Sequence, residues 1–184
     1  MFERLLADLA RALDAEALPY MVIGGQAVLL YGEPRLTRDV DLTLGRSPEA
    51  LDAVLRVADA VGLRPLVDPA PFVAETLVLP CDQPSTGLRV NFVFSFSEYE
   101  RHAIGRTRIV SLGGADVHFT SVEDLIVQKV VAGRPRDLDD VRNVLIHQPD
   151  ADVEYVRDWL RAFGEALAAD LLDTFTRLLR DARA

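Results

Sequence analysis

Two short patterns in the chain have residue types suited to phosphate and metal chemistry. Gly24-Gly25 is followed, after thirteen residues, by Asp39-Val40-Asp41. On an extended strand, carboxylates at i and i+2 share one face and lie about 6.6 Å apart along the backbone. Such a pair can converge on magnesium, which takes hard oxygen ligands and shares its shell with substrate phosphates. A glycine pair between a strand and a helix lets a phosphate approach the backbone closely. The helix N-terminus behind it supplies free N–H groups and a favourable dipole. A phosphate seat beside a metal seat is what phosphoryl or nucleotidyl transfer requires. Taken alone, Gly-Gly also makes tight turns, and Asp-x-Asp also sits on solvated strand faces. The joint pattern says more. Val40, Leu42 and Leu44 mark the strand as part of a core, and two carboxylates placed centrally on such a strand repel unless something neutralises them.

The elements that would position these residues can be read from periodicity. Phe2, Leu5, Leu6, Leu9 and Leu13 make a helical stripe, so residues 2–17 are expected to be an amphipathic helix. Tyr20–Ile23 reads as a short apolar strand. Gly24-Gly25 turns the chain, and Gln26–Tyr31 reads as a short helix ended by Gly32-Glu33-Pro34. Residues 38–44 alternate strictly, as a half-buried strand does. Ser47-Pro48 opens a helix to about Val61. Strands are expected over 72–79, 88–96, 107–112 and 117–119, between Pro- and Gly-containing turns. Thr120 and Glu123 suggest a capping box for a helix ending near Gly133. Pro135 starts another helix, to about His147. Residues 152–182 read as one broken or two packed helices, with Gly164 at the break. The expectation is an α/β (α+β) core over residues 1–119, with a helical C-terminal part, 120–184, packed on it.

Composition narrows the function classes. The chain has 184 residues, 49% of them hydrophobic, enough for a real core. No apolar run is long enough for a membrane span, and the N-terminus does not read as a secretory signal. Cys81 is the single cysteine, which excludes an intrachain disulfide and a Cys-rich zinc site. A cytoplasmic location is the expectation. The net charge is −9, which does not favour bulk electrostatic binding to nucleic acid. Lys129 is the only lysine. His102, His118 and His147 show no metal-ligand spacing. Ser111 and Cys81 have no visible partner for a nucleophilic triad.

The runs Ile23-Gly24-Gly25-Gln26-Ala27 and Arg35-Leu36-Thr37-Arg38-Asp39-Val40-Asp41-Leu42 resemble the signature of the polymerase-β-like nucleotidyltransferase superfamily. Within it, the chain looks most like the AbiEii/MenT-type toxins and related nucleotidyltransferase-like proteins. A second block, from Val122 through Glu123, Asp124 and Leu125 to Lys129, then Arg134-Pro135-Arg136-Asp137 to Asp140, is similar to one in those proteins. The resemblance covers roughly residues 18–146 and implies a nucleotidyltransferase-type mixed sheet flanked by helices. It implies that Gly24 and Gly25 seat the phosphates of a nucleoside triphosphate and that Asp39 and Asp41 hold Mg2+. In the superfamily a third acidic residue usually comes from a neighbouring strand; here Asn91 fills that position. An amide oxygen can ligate a metal or orient a hydroxyl, but it cannot act as a general base.

The same resemblance makes Lys129 a functional candidate, most simply as a phosphate contact; a lysine snorkelling past an apolar face is the structural alternative. Asp137 and Asp140 share one helical face. They could pair with Lys129, approach the site, or serve as acidic charge in a helix's first turn. Arg35 and Arg38 flank the carboxylates and could touch phosphate or an RNA substrate. The implied function is transfer of a nucleotide to an RNA, such as tRNA, or to a protein, as the toxin of a toxin–antitoxin pair with a cognate antitoxin. A small-molecule nucleotidyltransferase and a nucleotide-binding protein without catalysis are the alternatives.

Overall fold

The computed structural model describes residues 2–34 and 36–184. Contacts divide the chain into two compact units, Met1–Gln26 with Thr37–Thr120, and Ala27–Leu36 with Ser121–Ala184. The first unit holds a seven-stranded mixed sheet, flanked by helices. Its strands are β1 (Tyr20–Ile23), β2 (Asp39–Leu44), β3 (Arg64–Pro65), β4 (Val78–Gln83), β5 (Leu88–Phe94), β6 (Arg108–Leu112) and β7 (Ala115–Phe119). Their order is β3-β4-β5-β2-β1-β7-β6. β2 runs parallel to β5 and β1 parallel to β7; the other pairings are antiparallel.

The helical stripe near the N-terminus becomes α1 (Phe2–Ala15), which buries Leu5, Leu6, Leu9 and Leu13 and packs on β7 and β6. Alternation on β2 is as the sequence suggests. Val40, Leu42 and Leu44 are fully buried, whereas Asp39 and Asp41 are half-buried. α2 (Gly24–Tyr31) begins at the first glycine rather than after the pair. A 3-10 turn, Pro48–Ala50, leads into α3 (Leu51–Ala60).

The strand expected over 72–79 is corrected. Pro69–Thr76 is a helix, α4, and the strand begins only at Val78. Pro69 occupies the first helical turn, where its missing N–H costs nothing. Leu77 then takes a left-handed conformation, φ 59°, and ends the helix. A short apolar run such as Phe72–Ala74 does not itself distinguish helix from strand. α5 (Glu98–Gly105) was not expected, although its signal is present: Ser97 and Glu100 form a capping box.

The second unit contains α6 (Val122–Ala132), α7 (Pro135–His147), α8 (Val153–Leu167) and α9 (Leu171–Ala182). The cap of α6 is Ser121, not Thr120: Ser121 Oγ accepts the Asp124 N–H at 3.0 Å. The break between the last two helices is also corrected. Gly164 lies inside α8, and the chain turns at Ala168, φ 51°. A Cβ on Gly164 would lie 2.9 Å from the Ala169 carbonyl oxygen. The glycine thus makes room for the returning chain rather than breaking the helix. No helix among the described residues is long and apolar enough to cross a membrane.

Cys81 on β4 is fully buried, and burial, with a smaller contribution from Asp82, pushes its thiol up to about 12. The thiolate is the reactive species, so the native protein should not react with a thiol reagent at neutral pH. In denaturant, one equivalent should label at once. Fast labelling of the native protein would show that β4 opens.

Candidate active site

Strand pairing brings the candidate residues of the first unit together. β1 ends at Ile23, whose register partner on β2 is Asp41. Gly24 follows with φ +64° and starts α2 without a linker. A Cβ at Gly24 would lie 2.4 Å from Asp41 Oδ2, and one at Gly25 would lie 2.6 Å from Thr37 Oγ1. Both glycines are therefore required by close approach within the protein, before any ligand is considered. The backbone that begins α2 lies directly against the Asp41 carboxylate. That end of a helix has unsatisfied N–H groups and favours negative charge.

Asn91 on β5 is the register partner of Asp41, and its Nδ2 donates a 2.8 Å hydrogen bond to Asp41 Oδ1. Asp41 is thus held on one side by the Asn91 amide and abuts Gly24 on the other. Asp39, two residues earlier on β2, is in register with Arg89. Arg38 is exposed. Arg35 lies outside the described residues.

The residue directly after the glycine pair carries an unmet hydrogen-bonding requirement. Gln26 is only 6% exposed, and its Nε2 has no hydrogen-bond partner among the described residues. A buried amide donor left unmade costs about 1–3 kcal/mol, and an atom so enclosed is out of a ligand's reach in this conformation. Its only sequence signal was its place directly after the glycine pair. Thr37 was also missed; it packs against Gly25 and donates from Oγ1 to the Asp39 carbonyl at 3.4 Å.

The donor set is compatible with magnesium. Among the described residues no group of three or more His, Cys, Asp or Glu side chains forms a metal cluster. Magnesium is commonly held by one or two carboxylates, with water and substrate phosphates completing its octahedron. Asp39 and Asp41, two residues apart on β2, offer two carboxylates of that kind. Asn91 contacts Asp41 through its amide nitrogen, which leaves the amide oxygen as the atom that could ligate a metal.

Lys129, Asp137 and Asp140 form a cluster within the second unit. Lys129 Nζ lies 2.7 Å from Asp137 Oδ1 and 2.7 Å from Asp140 Oδ2, and all three side chains are 7% exposed or less. Arg134 Nε also reaches Asp137, but from an exposed position. Burial raises the Asp137 pKa. The hydrogen bonds from Arg134 and Lys129 outweigh it, and the carboxyl is held below its ordinary value of 3.8. Of the expectations for Asp137 and Asp140, the geometry realises pairing with Lys129 for both, and Asp137 also lies in the first turn of α7. Two of the three ammonium donors meet carboxylates, and the side chain is 7% exposed, so a phosphate contact would have to use the remaining donor.

The fold is similar to that of several solved proteins. The antibiotic-resistance factor ANT(2'')-Ia gives a TM-score of 0.62 at 16% identity, over 90% of this chain and 92% of that chain. A crystal structure of ANT(2'')-Ia in complex with adenylyl-2''-tobramycin gives 0.61 at 17% identity, over 90% and 98%. An antigenic nucleotidyltransferase-like protein from Paracoccidioides brasiliensis gives 0.57 at 16% identity, over 95% and 91%. The lincomycin-bound lincosamide antibiotic adenylyltransferase LnuA gives 0.50 at 13% identity, over 72% and 89%. At these identities the likeness is one of fold. No curated protein matches the sequence significantly. A family model described as nucleotidyltransferase of unknown function (DUF6036) matches residues 2–174.

Proposed function

The chain belongs to this nucleotidyltransferase family, and from that premise we propose that it moves a nucleotide from a nucleoside triphosphate to a small-molecule acceptor, releasing pyrophosphate. The observation that carries the reading is the close approach of Gly24 to Asp41 Oδ2, which sets a helix start against a strand carboxylate. Gly24 and Gly25 would receive phosphate oxygens. Asp39 and Asp41 would hold Mg2+, and Asn91 fixes the direction of the Asp41 carboxylate. When bound, the ion neutralises charge on the phosphates and on the two carboxylates. Arg35 and Arg38 are further candidates for the phosphates, and Lys129 and Asp137 for catalysis.

A small acceptor is favoured by two considerations. The net charge of −9 repels a polyanion. The solved structures sharing the fold include one carrying an adenylylated antibiotic and one carrying lincomycin. The second reading, an RNA or protein acceptor with a toxin role and a cognate antitoxin, is favoured by the run from Val122 to Asp140. The experiment is to incubate the protein with each α-labelled triphosphate, magnesium, and either aminoglycosides and lincosamides or total RNA and cell extract. Label in a small product supports the first reading, and label in RNA or protein the second. No transfer from any triphosphate to any acceptor would count against both.

Asn91 offers a sharper test of the site. Asn91→Asp would place a third carboxylate within hydrogen-bond distance of Asp41. General-base assistance is typically worth about 10²–10⁴-fold, so turnover is expected to rise at least roughly tenfold. The like charges should also lower the melting temperature in EDTA and make magnesium more stabilising. A variant that binds magnesium more tightly yet turns over no faster would show that Asn91 does not stand where a base acts.

A further inference from the structure

β6 is the last strand of the sheet and pairs with β7 on one side only. Its hairpin closes through Gly113 and Gly114, both with positive φ (55° and 74°), the backbone of a tight two-residue turn. In such a hairpin the flanking residues, here Leu112 and Ala115, bond each other, and bonded and non-bonded pairs then alternate. Arg108, Val110 and Leu112 therefore turn their N–H and C=O groups toward β7. Ile109 and Ser111 turn theirs outward, and no described residue hydrogen-bonds them.

Edge strands are ordinarily shortened, bent, covered or interrupted by proline, because an open ladder recruits other strands. The opposite edge follows that rule: β3 has two residues, and one is Pro65. β6 has five residues and no proline. Ile109 is 57% exposed and borders a groove formed with Asp14, Tyr20, Arg46, Ile104, Thr107 and His118, and Asp116 is the register partner of Ser111, so a carboxylate stands at each of these places among the basic groups. The segment leading into and through the strand, residues 101–112, carries Arg101, Arg106 and Arg108 and no carboxylate, in a chain of net charge −9. All three arginines are exposed.

We propose that the β6 edge is a docking site for an extended acidic segment of another polypeptide. The segment adds as the next strand, and its alternate side chains cover Ile109 and the groove. Main-chain hydrogen bonds at Ile109 and Ser111 give the affinity, and the arginines select the partner's charge. A second copy of the chain fits less well. A five-residue strand spans about 17 Å, and edge pairing over that length buries far less than the ~800 Å² per partner of a stable interface. Self-pairing would also bring two sets of the same arginines to one seam.

The test uses a short fluorescent peptide alternating Glu and Val, and a matched peptide alternating Lys and Val. Binding is read by anisotropy, and amide exchange at Ile109 and Ser111 by NMR. The acidic peptide is expected to bind and to slow exchange at both amides, and the basic peptide is not. Ser111→Pro removes an outward N–H while leaving the β6–β7 ladder intact, and it should abolish binding with an unchanged circular dichroism spectrum. If that variant does not fold, the Arg106→Glu, Arg108→Glu double variant decides: acidic-peptide affinity should fall at least about tenfold. Failure of the acidic peptide to bind, equal binding of both peptides, or a Ser111→Pro-sensitive dimer in sedimentation would each overturn the proposal.

Discussion

Asp41→Asn is expected to reduce nucleotidyl transfer by at least roughly 10²–10³-fold, the scale of losing one preorganised electrostatic contact at a reacting centre, without unfolding the protein. The substitution is nearly isosteric. An amide oxygen at position 41 can still accept the bond from Asn91 Nδ2, and the space left by Gly24 is unchanged. What disappears is the charge. Asp39 and Asp41 stand on one face of β2, about 6.6 Å apart along the strand, and without a cation they repel. Metal-free stability should therefore stay level or rise, while the heat of magnesium-triphosphate binding falls. Calorimetry and a melting curve in EDTA, run beside the activity assay, read all three. Loss of stability in EDTA equal to the loss of activity would mean that the carboxylate serves folding. Unchanged triphosphate affinity in Asp41→Asn and in an Asp39→Ala, Asp41→Ala double variant would remove the metal site from the proposal.

The second large effect concerns the buried cation. Lys129→Met keeps the length of the side chain but leaves Asp137 and Asp140 side by side, each 5% exposed, without their ammonium. Breaking a buried pair by removing one partner typically costs 3–5 kcal/mol, which for a chain of this size lowers the melting temperature by on the order of 10 °C. Arg134 offsets little, because its side chain is 77% exposed and screened by water. The cluster also sets a pH dependence. With its pKa depressed below 3.8, Asp137 contributes stability that is fully present above the unfolded carboxylate range. That contribution is lost as pH falls through the lower folded value. Acid destabilisation of the wild type below about pH 4 should thus be steeper than that of Asp137→Asn. Triphosphate affinity, measured where Lys129→Met is still folded, separates two roles. An unchanged value assigns the lysine to structure alone, and a fall adds the phosphate contact. A melting temperature within a degree or two of wild type would mean that the triad does not hold the helices.

The sequence made the local elements of the site legible because their signals are periodic. Strict alternation from Asp39 to Leu44 specifies a strand with both aspartates on one face. The stripe from Leu5 to Leu13 specifies the helix over β7. Pro135 and the nearby acidic residues mark the start of α7. Where the local signal was ambiguous, the reading failed. Phe72–Ala74 suits strand or helix by pattern alone, and only Pro69 at the first helical turn and left-handed Leu77 settle it as helix. The Ser97–Glu100 box is a local signal as well, and it marks the start of α5.

Partners distant in the chain were decided by the tertiary structure. Asp41 and Asn91 are 50 residues apart, and their contact exists only because β2 and β5 pair in parallel, in a register that a one-residue slip would turn to the opposite face. That Asn91 faces Asp41 follows from that register, and that its amide nitrogen makes the contact follows from a carboxylate being only an acceptor. The two glycines show both kinds of information. Their place between a strand and a helix is written in the sequence. The reason that neither can carry a Cβ, the Asp41 carboxylate at one and the Thr37 hydroxyl at the other, depends on residues 12–17 positions away that only folding brings close.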